Sequence, residues 1–249
     1  MSKRKYVKIL CFYEKLFLSP LLLFTKEVHI SFSWLYRPNG FFTEVFVRRI
    51  LLTGFEPFHL YKENPSADLA RSLAGSKTTL DYEIVSCVLP VVRNHCFELV
   101  QQVIQEYKPL AVVALGQGGG TSIALERIAI NIDDYRMEDN AGNKVLDTPI
   151  VEEAPIAYWS TLPIKKLKSR LERENIAVSI SNSAGTFVCN HLFFQLQHWL
   201  LHSPIRSGFV HVPMLPIQNP KESMDWMHMR KAIFALLEEL ELFLQASNT

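Results

Sequence analysis

Cysteine is scarce in this chain of 249 residues. Cys11, Cys87, Cys96 and Cys189 are the only four, and no two of them stand at CxxC or Cys/His ligand spacing. A disulfide framework and a cysteine-based metal centre therefore have no basis, and the expected compartment is a reducing one, the cytoplasm. An excess of one charge is also missing, with 26 basic against 25 acidic residues. That balance gives no sign of a nucleic-acid or other polyanionic partner, and none is expected. The apolar run Leu16–Phe24, broken by Pro20, falls short of the roughly 18–20 residues of a membrane span. Gly118-Gly119-Gly120 lacks the GxxxxGK[ST] and GxGxxG patterns, so no phosphate-binding loop is expected.

What is there divides into two parts. Residues 1–46 hold 11 of the 28 aromatic residues and 7 basic against 3 acidic, leaving 19 basic and 22 acidic for the rest. Lys3, Arg4 and Lys5 ahead of Leu16–Phe24 imitate a secretory signal, but Glu14 and Lys15 interrupt it and no small-x-small cleavage site follows. Methionine is absent between Met1 and Met137. Two expectations stand for 1–46, a start site placed too far upstream or a membrane-surface segment, with 47–249 as the working domain.

From residue 47 the chain alternates strand and helix signals. Val47–Thr53, Tyr82–Leu89, Leu110–Leu115, Ile123–Ile132, Ala177–Ser181 and Gly208–Val212 read as strands. Helices are expected from Asn64 to Leu73, over Val92–Tyr107, Pro163–Glu174, Phe187–Leu201 and Asp225–Phe243. Such alternation, without repeats or low-complexity tracts, predicts an α/β fold: a three-layer α/β/α open sheet, mostly parallel, with helices on both faces. Ligands in such folds sit at the carboxyl ends of strands, which directs attention to Gly54–Phe58, Gly116–Gly120, Ser183–Cys189 and Val212–Pro213.

Cys189 follows a strand through Asn182-Ser183-Ala184-Gly185, small residues that allow a sharp turn into a helix. A thiol in a first helical turn is favoured as thiolate, and the free N–H groups there suit an oxyanion. The competing reading is a small core residue, which also serves for Cys87 and Cys96. His211, 22 residues later, is the candidate base, near the end of a strand expected to lie parallel beside the one before Cys189. His191 is the rival, but residues two apart on a helix do not face each other. Glu126 inside an apolar run calls for a partner, either Arg127 or Arg136 or a histidine that it orients.

Seven segments in order are LLTGFEPF (51–58), NPS (64–66), ERIAIN (126–131), RMEDNAG (136–142), AYWSTLPIK (157–165), SNSAGTFVCNH (181–191) and GFVHVP (208–213). Together they resemble the pyroglutamyl peptidase I family of cysteine peptidases over about residues 48–240. The resemblance implies a triad of Cys189, His211 and Glu126, and a lactam ring held between Phe55 and Phe58. It adds substrate contacts from Asn64, Gln117, Met137 and Val188, with Arg136 near the site. It further implies a cofactor-free, metal-free hydrolase acting on N-terminally pyroglutamylated peptides, commonly a homotetramer. Two departures stand out: His59-Leu60 replace glycines after GFEPF, and Gly120 stands where the family has an arginine. These leave a catalytically impaired pyroglutamyl-binding homologue as the alternative, and the sheet alone also admits a nucleoside-processing enzyme.

Overall fold

The computed structural model describes residues 47–247 and two upstream strand segments, 34–36 and 42–44. The chain divides at Val45–Phe46 into two units. In the first, β1 (Trp34–Tyr36) pairs antiparallel with β2 (Phe42–Glu44). The signal-like stretch Lys3–Phe24 and Cys11 lie outside the described residues.

Short apolar runs in the second unit become strands. These are β3 (Arg49–Phe55), β4 (Glu83–Leu89), β5 (Ala111–Gln117), β6 (Ile123–Glu126), β7 (Ile128–Ile130), β8 (Ala157–Trp159), β9 (Val178–Ser181) and β10 (Arg206–Val212), with β3 and β5 buried almost throughout. The amphipathic stretches become α1 (Pro65–Leu73), α2 (His95–Tyr107), α3 (Ile164–Arg173), α4 (Val188–Trp199) and α5 (Trp226–Ser247). Six strands form one sheet in the order β4-β3-β5-β10-β6-β9.

Alternate side chains feed opposite layers. Ile50, Leu52, Val113, Val210 and Val212 pack with α1, α3 and α5, whereas Leu51, Val112, Ala114 and Phe209 pack with α2 and α4. The expected three-layer α/β/α arrangement is therefore present, and β4, β3, β5 and β10 run parallel. Among the described residues, no helix is long and apolar enough to cross a membrane.

Some expectations need correction. Ile123–Ile132 is two strands, because the chain leaves the sheet at Arg127. Its N–H donates to the Ser181 carbonyl, its carbonyl accepts from Ser160 N–H, and β7 pairs with β8 instead. β8 itself was not anticipated; three residues with an exposed tryptophan give little periodic signal. β10 does not have β9 as a parallel neighbour. β6 lies between them, antiparallel to β10 and parallel to β9. α2 also starts later than the expected Val92, at His95, after Asn94 with φ of 60°.

Strand β3 sets the approach of α1. A Cβ on Gly54 would stand 2.1 Å from the Ser66 carbonyl oxygen, so glycine is required for the contact. The Ser66 hydroxyl then accepts from Phe55 N–H at 3.0 Å and donates to Asn64 Oδ1 at 2.7 Å, and Asn64 caps α1 by accepting from Ser66 N–H. Because the obstacle is backbone, Gly54→Ala should cost about 3 kcal/mol or more in a urea titration. A variant within about 0.5 kcal/mol of the parent would show that the contact is slack.

Candidate active site

Helix α4 leads into β10 at the amino end of that strand. Packed back along β10, it carries its own first turn to the strand's carboxyl end, where Cys189 occupies the second helical position. Phe187 is the N-cap and offers no side-chain hydrogen bond to the helix. The first N–H groups of α4 are thus left without a capping side chain around the thiol. Below the sulfur lies Gly116 of β5: a Cβ there would fall 3.0 Å from Cys189 Sγ and 2.8 Å from the Phe209 ring. Glycine makes room for the thiol at the strand end.

His211 stands on β10, on the sheet face that α4 covers, two residues beyond Phe209, whose ring centroid is 4.9 Å from the imidazole. Its cross-strand partner is Ala124, and Glu126 lies two residues further along β6 on the same face. That diagonal places Glu126 Oε1 2.8 Å from His211 Nδ1. The other ring nitrogen is left for Cys189, whose side chain stands close enough to raise the His211 pKa.

Glu126 is only 2% exposed, and its Oε2 has no hydrogen-bond partner among the described residues. Its reading as a partner of Arg127 or Arg136 gives way to the histidine. Burial lowers the His211 pKa. The Cys189 sulfur beside the ring and the hydrogen-bonded Glu126 carboxylate outweigh burial and raise it from 6.5 to about 10.

Beside the thiol is a small cavity lined by Phe55, Phe58, Asn64, Val91, Gln117, Phe187, Val188 and Cys189. Phe58 and Phe187 pack at 6.3 Å, and Tyr135 meets Phe187 edge-on at 4.7 Å. The walls are flat and apolar, and the side-chain polarity comes from two amides and the thiol.

A family model described as pyroglutamyl peptidase matches residues 48–243. The chain belongs to the pyroglutamyl peptidase family. The pyrrolidone-carboxylate peptidase of Aliivibrio fischeri (strain MJ11) is 46% identical over 186 residues, 74% of this chain and 87% of that protein. That of Bacillus mycoides (strain KBAB4) is 45% identical over 199 residues, 77% of this chain and 92% of that protein. Among solved structures, pyroglutamyl peptidase I of Bacillus amyloliquefaciens superposes with a TM-score of 0.74 at 34% identity, over 78% of this chain and 96% of that one. A mutant pyrrolidone carboxyl peptidase from the hyperthermophile Pyrococcus furiosus gives 0.76 at 37%, over 79% and 99%.

Of the residues the family resemblance singled out, Phe55, Phe58, Asn64, Gln117 and Val188 line the cavity with Cys189. Arg136 and Met137 line an adjoining, more open cavity that shares the Phe58 and Phe187 walls. Phe187 and Val91 were not singled out from sequence; Phe187 was readable, since it lies two residues before the cysteine within SNSAGTFVCNH.

The rival histidine is fully occupied. His191 is buried, donates from Nδ1 to Asp133 Oδ2 at 2.8 Å, and accepts from Asn94 N–H at Nε2. Arg93 Nε donates to the same Asp133 oxygen at 2.7 Å. Cys87 and Cys96 are held protonated by burial, in keeping with their structural reading. At the two departures, His59 takes φ of 56° and Gly120 takes 84°. Both are left-handed, so His59 keeps the backbone form natural to glycine, and an arginine at position 120 would be strained.

The raised His211 pKa has a direct test. The imidazole should stay protonated to about pH 10, so the alkaline limb of kcat/KM moves upward from 6.5 rather than downward. Cys189→Ala removes the sulfur that raises the His211 pKa, so His211 should titrate lower by about one unit or more in histidine NMR. An identical midpoint in the variant would deny that the sulfur holds the proton in place.

Proposed function

We propose that this chain is a cysteine exopeptidase that hydrolyses the N-terminal pyroglutamyl residue from peptides, with the catalytic work in residues 47–249. The observation that carries the reading is His211, hydrogen-bonded to Glu126 and set beside the Cys189 thiol, at an aromatic-walled cavity that Cys189 lines.

Glu126 accepts from His211 Nδ1 and fixes the ring so that the other nitrogen faces the sulfur. With the proton on His211, Cys189 is a thiolate. Its sulfur attacks the pyroglutamyl carbonyl carbon, and the uncapped N–H groups of α4 offer donors to the oxyanion. As the C–N bond breaks, His211 gives its proton to the leaving amine, and a thioester remains on Cys189. Water then attacks the thioester. His211 takes a proton from it, and the C–S bond breaks to return thiolate and free pyroglutamate.

The substrate suits the cavity. A pyroglutamyl ring is flat, small and uncharged, and asks for apolar walls with a few polar groups, which Phe55, Phe58 and Phe187 with Asn64 and Gln117 supply. No buried carboxylate is needed to grip a free amino group, because the substrate has none. By the same family resemblance we propose a homotetramer, and by its cysteine usage a cytoplasmic one. Free Cys87, Cys96 and Cys189 fit a reducing compartment. Ile156 and Trp159, 89% and 67% exposed, offer apolar surface for a second copy to cover.

Turnover of a pyroglutamyl amide with a chromogenic leaving group is the test. The full chain should cleave it, iodoacetamide should abolish cleavage, and Cys189→Ala should lose on the order of 10⁴-fold or more in kcat. Glu126→Gln should lose on the order of 10²–10⁴-fold with KM little changed, since the ring is misoriented but the cavity is intact. Tight binding of pyroglutamate without any cleavage would instead identify a binding protein on this scaffold.

A further inference from the structure

We infer that Gln218, outside the cavity, is a specificity-determining positioning residue that turns the Gln117 amide so that its NH₂ group, not its oxygen, serves the substrate's ring. The inference deepens the pyroglutamyl reading and rests on it.

An amide side chain can present either end, and the neighbours decide which. Gln218 has no choice. Its Oε1 accepts from the Leu215 backbone N–H at 2.8 Å, and its Nε2 donates to the Glu63 carbonyl at 3.1 Å. One partner is only a donor and the other only an acceptor, so reversing Gln218 would lose both bonds. The second hydrogen on Nε2 therefore also donates, and it goes to Gln117 Oε1 at 3.2 Å. Gln117 must offer its oxygen there. What remains for the cavity is Nε2 of Gln117, a donor.

Asn64 obeys a similar constraint. Its Oδ1 accepts from both Ser66 N–H and the Ser66 hydroxyl, and one hydrogen of Nδ2 goes to the Glu56 carbonyl. One N–H is left for the cavity. Both amide side chains lining the cavity are thus donors by elimination. A lactam carbonyl oxygen, which accepts two hydrogen bonds, matches that pair, whereas a ring CH₂ in its place would leave buried donors unpaired. Gln218 also ties its own loop, 214–219, to the loop 56–64 through Glu63 and to the end of β5 through Gln117.

The test is a double-mutant cycle on the full chain, read as kcat and KM for a pyroglutamyl amide. Gln218→Met keeps the length and removes the polarity. Gln218→Glu keeps the shape but puts an acceptor opposite Gln117, favouring the reversed amide. Each should lower kcat/KM by about tenfold or more, mostly through KM, with the rate of Cys189 alkylation by iodoacetamide and the melting temperature near those of the parent. In a Gln117→Ala background, either Gln218 change should then alter kcat/KM by less than about twofold, since nothing is left to orient.

Losses that add independently of Gln117 would overturn the inference, as would a Gln218→Glu protein with unchanged KM. So would a loss that tracks unfolding or an equal fall in alkylation rate, either of which gives Gln218 a merely structural role. A parent chain that cleaves no pyroglutamyl amide would instead sink the functional reading on which the inference rests.

Discussion

In the proposed mechanism Cys189 loses its proton to a base held against it, and that base is His211. Everything else in the second unit arranges this encounter. The sulfur comes from a helix and the imidazole from a strand, and they meet because α4 runs back along β10 and begins where β10 ends. Gly116 clears the space beneath the sulfur, and Phe209 packs against the imidazole from the same face of the sheet. Glu126 reaches the far side of the ring from β6, the one strand adjoining β10 that runs the opposite way. A reversed neighbour delivers a side chain diagonally, two positions along, so the carboxylate approaches from beneath the strand end and leaves the cavity side of His211 open.

The cavity is made by backbone contacts as much as by side chains. The turn carrying Phe55 and Phe58 is bound to the start of α1 through Ser66 and Asn64, and the absence of a side chain at Gly54 lets them come together. On the opposite side, the loop after β7 is held by a buried charge cluster in which Asp133 accepts from Arg93 and His191. From that loop, Asn140 donates to the Glu56 side chain and the Pro57 carbonyl, joining the two aromatic walls. Removing one partner of such a buried pair leaves a charge uncompensated, so these polar contacts specify the wall's position more than they add net stability.

Much of this was legible in the sequence because it follows from local rules. The alternation of apolar runs with helical spacing announces the three layers, Asn64-Pro65-Ser66 announces a helix start, and the small residues before Cys189 announce the turn into α4. Direction was not legible. A four-residue strand reads the same in either sense, so nothing local said that β6 and β9 oppose the other four, or that β7 would leave the sheet after Arg127. The triad was nominated from residue types and motif order, while the diagonal between Glu126 and His211 depends on that unreadable direction. Arg136 and Met137 came with a motif, and motif membership does not distinguish the cavity beside the thiol from the one adjoining it.

The same limit explains why the polarity of the cavity escapes the sequence. Asparagine and glutamine each carry a donor and an acceptor, so their presence in a pocket does not say which they offer. The answer lies in what their other atoms have already been given to. Asn64 gives its oxygen to the cap of α1, and Gln117 gives its oxygen to Gln218, itself fixed by two backbone groups. Once those bonds are counted, two ambivalent side chains become two donors. Selectivity for a carbonyl-bearing ring is then a consequence of how the helix start and a distant turn satisfy their own hydrogen bonds.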